Sequence, residues 1–405
     1  MSLVECVKEP HRVLLISTHP VCTNGYSKVV YNLLKQFDQN VEIIVYGFQK
    51  IDNKSRDLGC FDNRVIIHEV HNEPTDPFGF SKINEFVRLT KPDTILIYND
   101  AFVVSTFLLA INESRMLRHL QFQTIVYFDQ VYDYTRKDYI DIFNKYVDHL
   151  CVFTPFWKDV VQSQGLTVPC SVIPHGVDAI SRETVQDIRY NLGLDKNIFY
   201  VLNLNRNQPR KRWDITLMAL AHLYKDPHYV LSPGDIKLLV GTTNEGCWDL
   251  KQVLNNELKG TNLTADDILV FVANPQELDD ETIESLYHAS DVGLNTCDGE
   301  GFGLCNVEHA YCGKPQIVPE IGSFLDLFDE SYASMCTPVA SYYVDNTRDS
   351  IGGKAQIIDY KQVADYIYRY YNDPDLCALH GNLSAEKMNG YTWSKCSESF
   401  RDLFS

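Results

Sequence analysis

The sequence predicts an α/β protein of two doubly wound, parallel-sheet domains. Three observations carry this. Short apolar runs alternate with helix-spaced patterns along most of the chain. The alternation pauses once, around Pro174 to Asp178, and then restarts. At 405 residues the chain is also long for a single core.

Taken in order, the apolar run 13–16 is followed by a polar loop, 17–24, and Gly25. A helical pattern then begins near Ser27 and carries Val29, Val30, Leu33 and Leu34. Further strands are predicted at 41–46, 65–68, 94–98, 124–128, 149–153 and 171–173, with helical stretches between them. Such alternation means a parallel sheet covered on both faces. Pro174-His175-Gly176-Val177-Asp178 is turn chemistry, and 181–191 is polar and helical. Strands return at 199–204, 237–241, 268–272, 291–295 and 316–318. The polar, glycine-containing stretch 338–354 reads as a surface insertion. Tyr391 to Ser394, Phe400, Leu403 and Phe404 predict one amphipathic closing helix, docked on its own domain or crossing back to the first.

Composition excludes several classes. The net charge is −18, and a field of that sign repels nucleic acid. The run Arg206, Arg210, Lys211, Arg212 stands out against it and suits a specific anion, or a solvated face. The longest apolar run, 101–111, is too short to span a bilayer, and 1–12 lacks a signal-peptide core. A soluble, cytoplasmic protein without an integral membrane segment is expected. Twelve scattered cysteines, with no C-x-x-C pair, suit a reducing compartment better than a disulfide scaffold or zinc site. No Asp-x-Asp signature stands at a strand end, so no metal is expected.

The chemistry concentrates in one stretch, Cys297-Asp298-Gly299-Glu300-Gly301-Phe302-Gly303-Leu304-Cys305-Asn306-Val307-Glu308. A buried strand leads into it, three glycines crowd the turn, and a helix starts after Gly303. Free amides and the positive helix end gather there, which suits a diphosphate or a sugar hydroxyl. Glu300 in the turn and Glu308 in the helix can face one ligand. Read blandly, helix-start glutamates only complement the dipole. A second block, Asn203 to Trp213, leaves the first strand of the second domain, where open sheets bind ligands. Asp129 ends a mid-domain strand and can accept a hydroxyl proton, bond a sugar hydroxyl or merely cap a loop. His19 and His175 are further candidates, and single histidines are mostly structural.

These blocks resemble the retaining glycosyltransferases of family 4, which have the GT-B fold, and are similar to virus-encoded members such as those of chlorella viruses. The resemblance implies two Rossmann-like domains facing a central cleft. They would be 1–180 on the acceptor side, completed by a helix at 390–405, and 181–389 on the donor side. It implies that Glu300 contacts the donor sugar, Glu308 holds the ribose, and Arg206 and Lys211 take the diphosphate. Asn205 stands where the family usually has Gly before that Arg, and Asn24-Gly25 where it has Gly-Gly. Asp129 occupies the place of the family's His near the reacting carbon. Asn274 and Pro275 would lie against the nucleotide base, and Gly25, Gly301, Phe302, Gly303 and Leu304 would line the donor. The implied activity is transfer of a hexose from a nucleoside-diphosphate sugar to a glycan or other hydroxyl acceptor, without cofactor, in the host cytoplasm if viral. GDP-mannose is the first donor expected, with UDP-glucose or UDP-N-acetylglucosamine close behind. A sugar-nucleotide epimerase and a non-catalytic sugar-nucleotide-binding protein are the alternatives.

Overall fold

A computed structural model describes residues 10–37, 40–49, 56–70, 75–114, 117, 119–177, 185–272, 278–345, 348 and 352–404. The first sheet is seven-stranded: β1 His11–Thr18, β2 Val41–Phe48, β3 Val65–Glu69, β4 Thr94–Asn99, β5 Gln123–Phe128, β6 His149–Val152 and β7 Cys170–Val172. Its order is β3-β2-β1-β4-β5-β6-β7, and every pair is parallel. The second sheet holds β8 Phe199–Asn203, β9 Ile236–Val240, β10 Leu269–Phe271, β11 Val292–Leu294, β12 Gln316–Pro319 and β13 Ala333–Cys336. Its order is β10-β9-β8-β11-β12-β13, again all parallel. Helices lie between successive strands, so the central strands are buried on both faces and read as unbroken apolar runs.

Each order reverses once, β1 beside β4 and β8 beside β11, and ligand crevices form at such switch points. The segments that leave β1, β5, β8 and β11 carry the predicted site residues other than Asn274 and Pro275, which lie outside the described residues.

The described part of 338–354 is a surface element outside the two parallel sheets, as its polarity predicted. It belongs to an antiparallel hairpin, β14 Pro338–Val344 and β15 Gly353–Ile358. Its polarity follows from β14 being exposed along most of its length. Within the polar segment at 181–191, the helix Val185–Asn191 is described, and 178–184, including Asp178, lie outside the described residues.

The closing helix Trp393–Arg401 is capped by Thr392, whose hydroxyl accepts the Lys395 amide. It crosses to the first domain. Phe400 meets Tyr127 edge-on at 4.9 Å, and Phe404 lies 5.7 Å from Phe37. The two connecting segments touch. The Val177 amide donates to Tyr391 O at 3.1 Å, and a side chain on Gly176 would strike the Trp393 backbone. Among the described residues every cysteine is a free thiol, no His, Cys, Asp and Glu cluster could hold a metal, and no helix is long and apolar enough to cross a membrane.

Candidate active site

The glycine-rich turn after β11 is held from both domains. Trp157 of the first domain donates through Nε1 to Gly301 O at 2.7 Å. Gly303 has φ +79° and caps the helix Leu304–Tyr311, with Phe324 so close that no Cβ would fit. The first bond into this helix is Asn306 N–H to Gly303 O, so the Leu304 and Cys305 amides have no backbone acceptor among the described residues. The glycine-rich turn thus leads into a helix end with open amides, the geometry that suits an anion.

Glu300, only 7% exposed, sits at the centre. Lys211 Nζ donates to its Oε2, Arg210 Nη1 approaches Oε1 at 3.3 Å, and Asn295 Nδ2 reaches Oε2 at 3.3 Å. Burial would raise the carboxyl, but the Lys211 and Arg210 charges outweigh it and hold it down at about 2. Lys211 is therefore committed to Glu300 rather than standing free for a diphosphate. Arg210, seen in the sequence only as part of the basic run, is built into the site: its Nη1 also donates to Gly299 O at 2.6 Å.

Arg206 differs from both. Its guanidinium has no hydrogen-bond acceptor or carboxylate partner among the described residues. It is open to solvent, yet stands near Arg210, Tyr26, Cys305 and Glu300, groups from both domains. The protein crowded around the guanidinium, which thins its hydration although the side chain reaches solvent, and then the Arg210 charge pull its pKa down. A cation held so, beside a second one, is ready for an anion. Asn205, in the place of the expected glycine, turns its amide back onto Asn203 Oδ1 at 2.8 Å.

Glu308 is buried on the helix that follows. Tyr287 donates to its Oε2 at 2.8 Å, and Lys28 Nζ lies 2.6 Å from Oε1. Lys28 belongs to the first domain's helix Gly25–Gln36, so this pair bridges the cleft. Oε2 thus holds a hydrogen bond, while Oε1 has the Lys28 charge beside it but no hydrogen bond from the described residues, so lone pairs remain for more. Arg56 repeats the bridge, binding Asp280 through Nε at 3.0 Å and Nη2 at 2.9 Å.

Opposite the turn, Asp129 accepts from the Tyr26 hydroxyl at 2.6 Å. Its other oxygen lies 2.0 Å from where a Cβ of Gly301 would stand, so only glycine fits there. Burial pushes the Asp129 carboxyl up, against the pull of Tyr26 and Arg210. It caps none of the described helices. Gly25 opens its helix facing Leu304, whose Cδ1 is 3.8 Å from a would-be Cβ, so no protein atom demands glycine.

Phe302 does not face the cleft. Its ring is buried beside His175, 4.8 Å away, and only its backbone is left for a ligand. His175 is itself structural: buried among aromatic rings, bonded to the Tyr127 hydroxyl at 2.6 Å, with burial lowering its pKa to about 3. His19 is also buried, and its ring accepts the Val21 amide. Asn274 and Pro275 lie outside the described residues.

The hairpin completes the site from outside. Arg348 binds Asp298 through Nη2 at 2.8 and 2.9 Å, and Tyr342 donates to the same carboxylate. The Asp298 amide donates to Arg210 O at 3.0 Å, which links the hairpin to the cationic loop. Nothing in the sequence pattern signalled this clamp, because Asp298 lies 44 and 50 residues from its partners.

Two facing Rossmann-like domains, with the binding loops of each turned toward the other, are the fold of the GT-B glycosyltransferases. Sucrose-phosphate synthase from Thermosynechococcus elongatus superposes with a TM-score of 0.72, at 14% identity, over 97% of this chain and 98% of that one. HepE of Anabaena in complex with UDP-glucose gives 0.68, at 14% identity, over 97% and 98%. In sequence the chain is 26% identical over 220 residues to a D-inositol 3-phosphate glycosyltransferase of Streptomyces bingchenggensis. That stretch is 54% of this chain and only 42% of the relative's length. No protein-family model matches the chain.

Proposed function

We propose that the chain is a retaining glycosyltransferase of the family 4 type, moving a hexose from a nucleoside-diphosphate sugar to a hydroxyl acceptor without a metal. The observation that carries this is Arg206, a cation without a carboxylate partner in a cleft beside the Arg210–Lys211–Glu300 cluster and the open amides of Leu304 and Cys305. A diphosphate fits there. When the bond from the sugar to the diphosphate breaks, negative charge grows on the leaving oxygen. Arg206 and the helix end stabilise it, and Arg210 and Lys211 keep Glu300 ionised for the sugar hydroxyls. Glu308 accepts the ribose hydroxyls on lone pairs left by Lys28 and Tyr287. Asp129, fixed by Tyr26, meets the sugar or the incoming hydroxyl. Retention and metal independence rest on the match of Glu300, Glu308, Arg206 and Lys211 to the family motif.

GDP-mannose remains a candidate donor. The solved relatives named with UDP and UDP-glucose support testing UDP-glucose first. The test is a thermal-shift series with both sugar nucleotides in chelator, followed by measured release of nucleoside diphosphate with and without sugar acceptors. Stabilisation in chelator and acceptor-stimulated release support the reading. Stabilisation without transfer, or with epimerised sugar, assigns the chain to a binding protein or an epimerase.

A further inference from the structure

We propose that Tyr134 and Tyr343 form a stacking platform for a neutral glycan acceptor at the rim of the cleft. The inference rests on the transferase reading and names the acceptor side of the same site.

The hairpin is fixed to both domains. Tyr342 and Arg348 tie it to Asp298 of the glycine-rich turn. Gln356 Nε2 donates to Asp133 of the first domain at 2.5 Å. Val131 and Tyr132 form a small apolar core with Val344 and Ala355, and Tyr132 fills the space a side chain on Gly353 would need. Strand alternation then decides the next residue. With Tyr342 turned inward to Asp298, Tyr343 must turn outward. It does, 73% exposed, and its ring meets Tyr134 edge-on at 6.3 Å. Tyr134 is 43% exposed and comes from the other domain. Two rings on a rigid base, one from each domain, thus stand uncovered in solvent.

Their position joins them to the chemistry. Tyr134 is five residues beyond Asp129, so the two lie within about 18 Å, the span of a short oligosaccharide. A tyrosine offers an apolar ring with a polar tip, which suits a pyranose with its C–H face and hydroxyl rim. The net charge of −18 disfavours a polyanionic acceptor.

The experiment is saturation-transfer NMR on the full chain with UDP present, using maltotriose, mannotriose and octyl glucoside as probes. At least one trisaccharide should bind. Its signal should fall at least fivefold in Tyr343→Ala and in Tyr134→Ala, and survive in Tyr343→Phe. The affinity for UDP, measured in parallel, shows that each variant is folded. Trisaccharide binding unchanged in the double alanine variant overturns the platform, as does no trisaccharide binding by a chain that binds UDP. Saturation confined to the octyl chain overturns it in favour of an apolar aglycone. A chain that binds neither UDP nor sugar overturns the platform together with the reading beneath it.

Discussion

Lys28 Nζ and Glu308 Oε1 meet across the cleft at 2.6 Å, one on the first helix of the first domain and one on the donor-side helix of the second. Both side chains are largely shielded, at 14% and 5% exposure. Losing one partner of a shielded pair leaves the other undercompensated, even with Asp280 still 3.8 Å from Lys28 and the Tyr287 hydroxyl still on Glu308, and the loss reaches about 3–5 kcal/mol in fully buried cases. Lys28→Met and Glu308→Gln should each lower the unfolding free energy markedly. The double variant should lose clearly less than the two together. Urea titrations of all four proteins give the cycle, and additive losses would mean that the pair does not form.

Asp129 and Gly301 form a second contact across the cleft. Because a methyl on Gly301 would stand 2.0 Å from Asp129 Oδ1, Gly301→Ala must push that carboxylate away. Gly301→Ala and Asp129→Ala should both depress kcat far more than donor affinity, since neither touches the diphosphate cations. Tyr26→Phe, which removes only the hydroxyl bonded to Asp129, should do so more mildly. Steady-state kinetics with calorimetric donor affinities check this. A fully active Asp129→Ala enzyme would remove the residue from the site.

Acid stability should fall in two windows. His175 is held neutral by burial, with a pKa near 3 against 6.5 in the unfolded chain. As pH falls below 6.5 the unfolded chain takes a proton that the folded one refuses, so stability declines down to about pH 3. Glu300 acts lower, because its carboxyl is held at about 2 against 4.5, and its contribution is lost between those values. His175→Phe should flatten the upper window and leave the lower one. Urea unfolding across the acid range would show it, and an unchanged upper slope would contradict the burial argument.

Much of this was legible in the chain. The apolar runs of both sheets could be read because parallel strands are buried on both faces and need no alternation, as in 13–16 and 94–98. That Glu300 and Arg206 stand together could be read because each lies in a loop that leaves a strand of the second sheet, Glu300 in a glycine-rich turn after β11 and Arg206 in a basic loop after β8. What escaped was long-range. Lys28 looks like any helix-surface lysine until Glu308 faces it, 280 residues away. Tyr26 is one more helix tyrosine until it meets Asp129. The hairpin read only as a polar surface insertion because its first strand presents exposed side chains to water, and Tyr342 and Arg348 reveal what it holds.

The hairpin clamp should therefore be felt in catalysis. Arg348 supplies two hydrogen bonds to Asp298, which is buried at 1% exposure. Arg348→Met removes that carboxylate's nearest charge partner, leaving the Tyr342 hydroxyl and Arg212 at 4.0 Å, and loosens the turn that carries Glu300. It should lower kcat about tenfold or more, with partial recovery in Arg348→Met/Asp298→Asn, where that charge is gone. Recovery is the informative readout, because a purely distant surface role would show neither loss nor rescue.

Arg206 and Lys211 of the cationic loop and Glu308 of the helix that follows the glycine-rich turn should separate by function. Arg206 has no carboxylate to lose, so Arg206→Ala should leave stability nearly unchanged. If it faces the leaving diphosphate, where charge grows as the sugar bond breaks, kcat should fall roughly 10²- to 10³-fold. Arg206→Lys should restore only part, because the planar fork is gone. Lys211→Ala instead removes a partner of buried Glu300, and should cost both stability and activity. Glu308→Ala should act on binding: a carboxylate bonded to ribose hydroxyls contributes equally to ground and transition states. KM should rise about ten- to a hundredfold with kcat nearly unchanged, alongside the stability loss that follows from breaking the Lys28 pair. Nucleoside diphosphate release at saturating donor, paired with urea unfolding, resolves the three patterns. If Arg206→Ala lowers stability as much as Lys211→Ala and leaves kcat untouched, Arg206 is a structural cation and the diphosphate lies elsewhere.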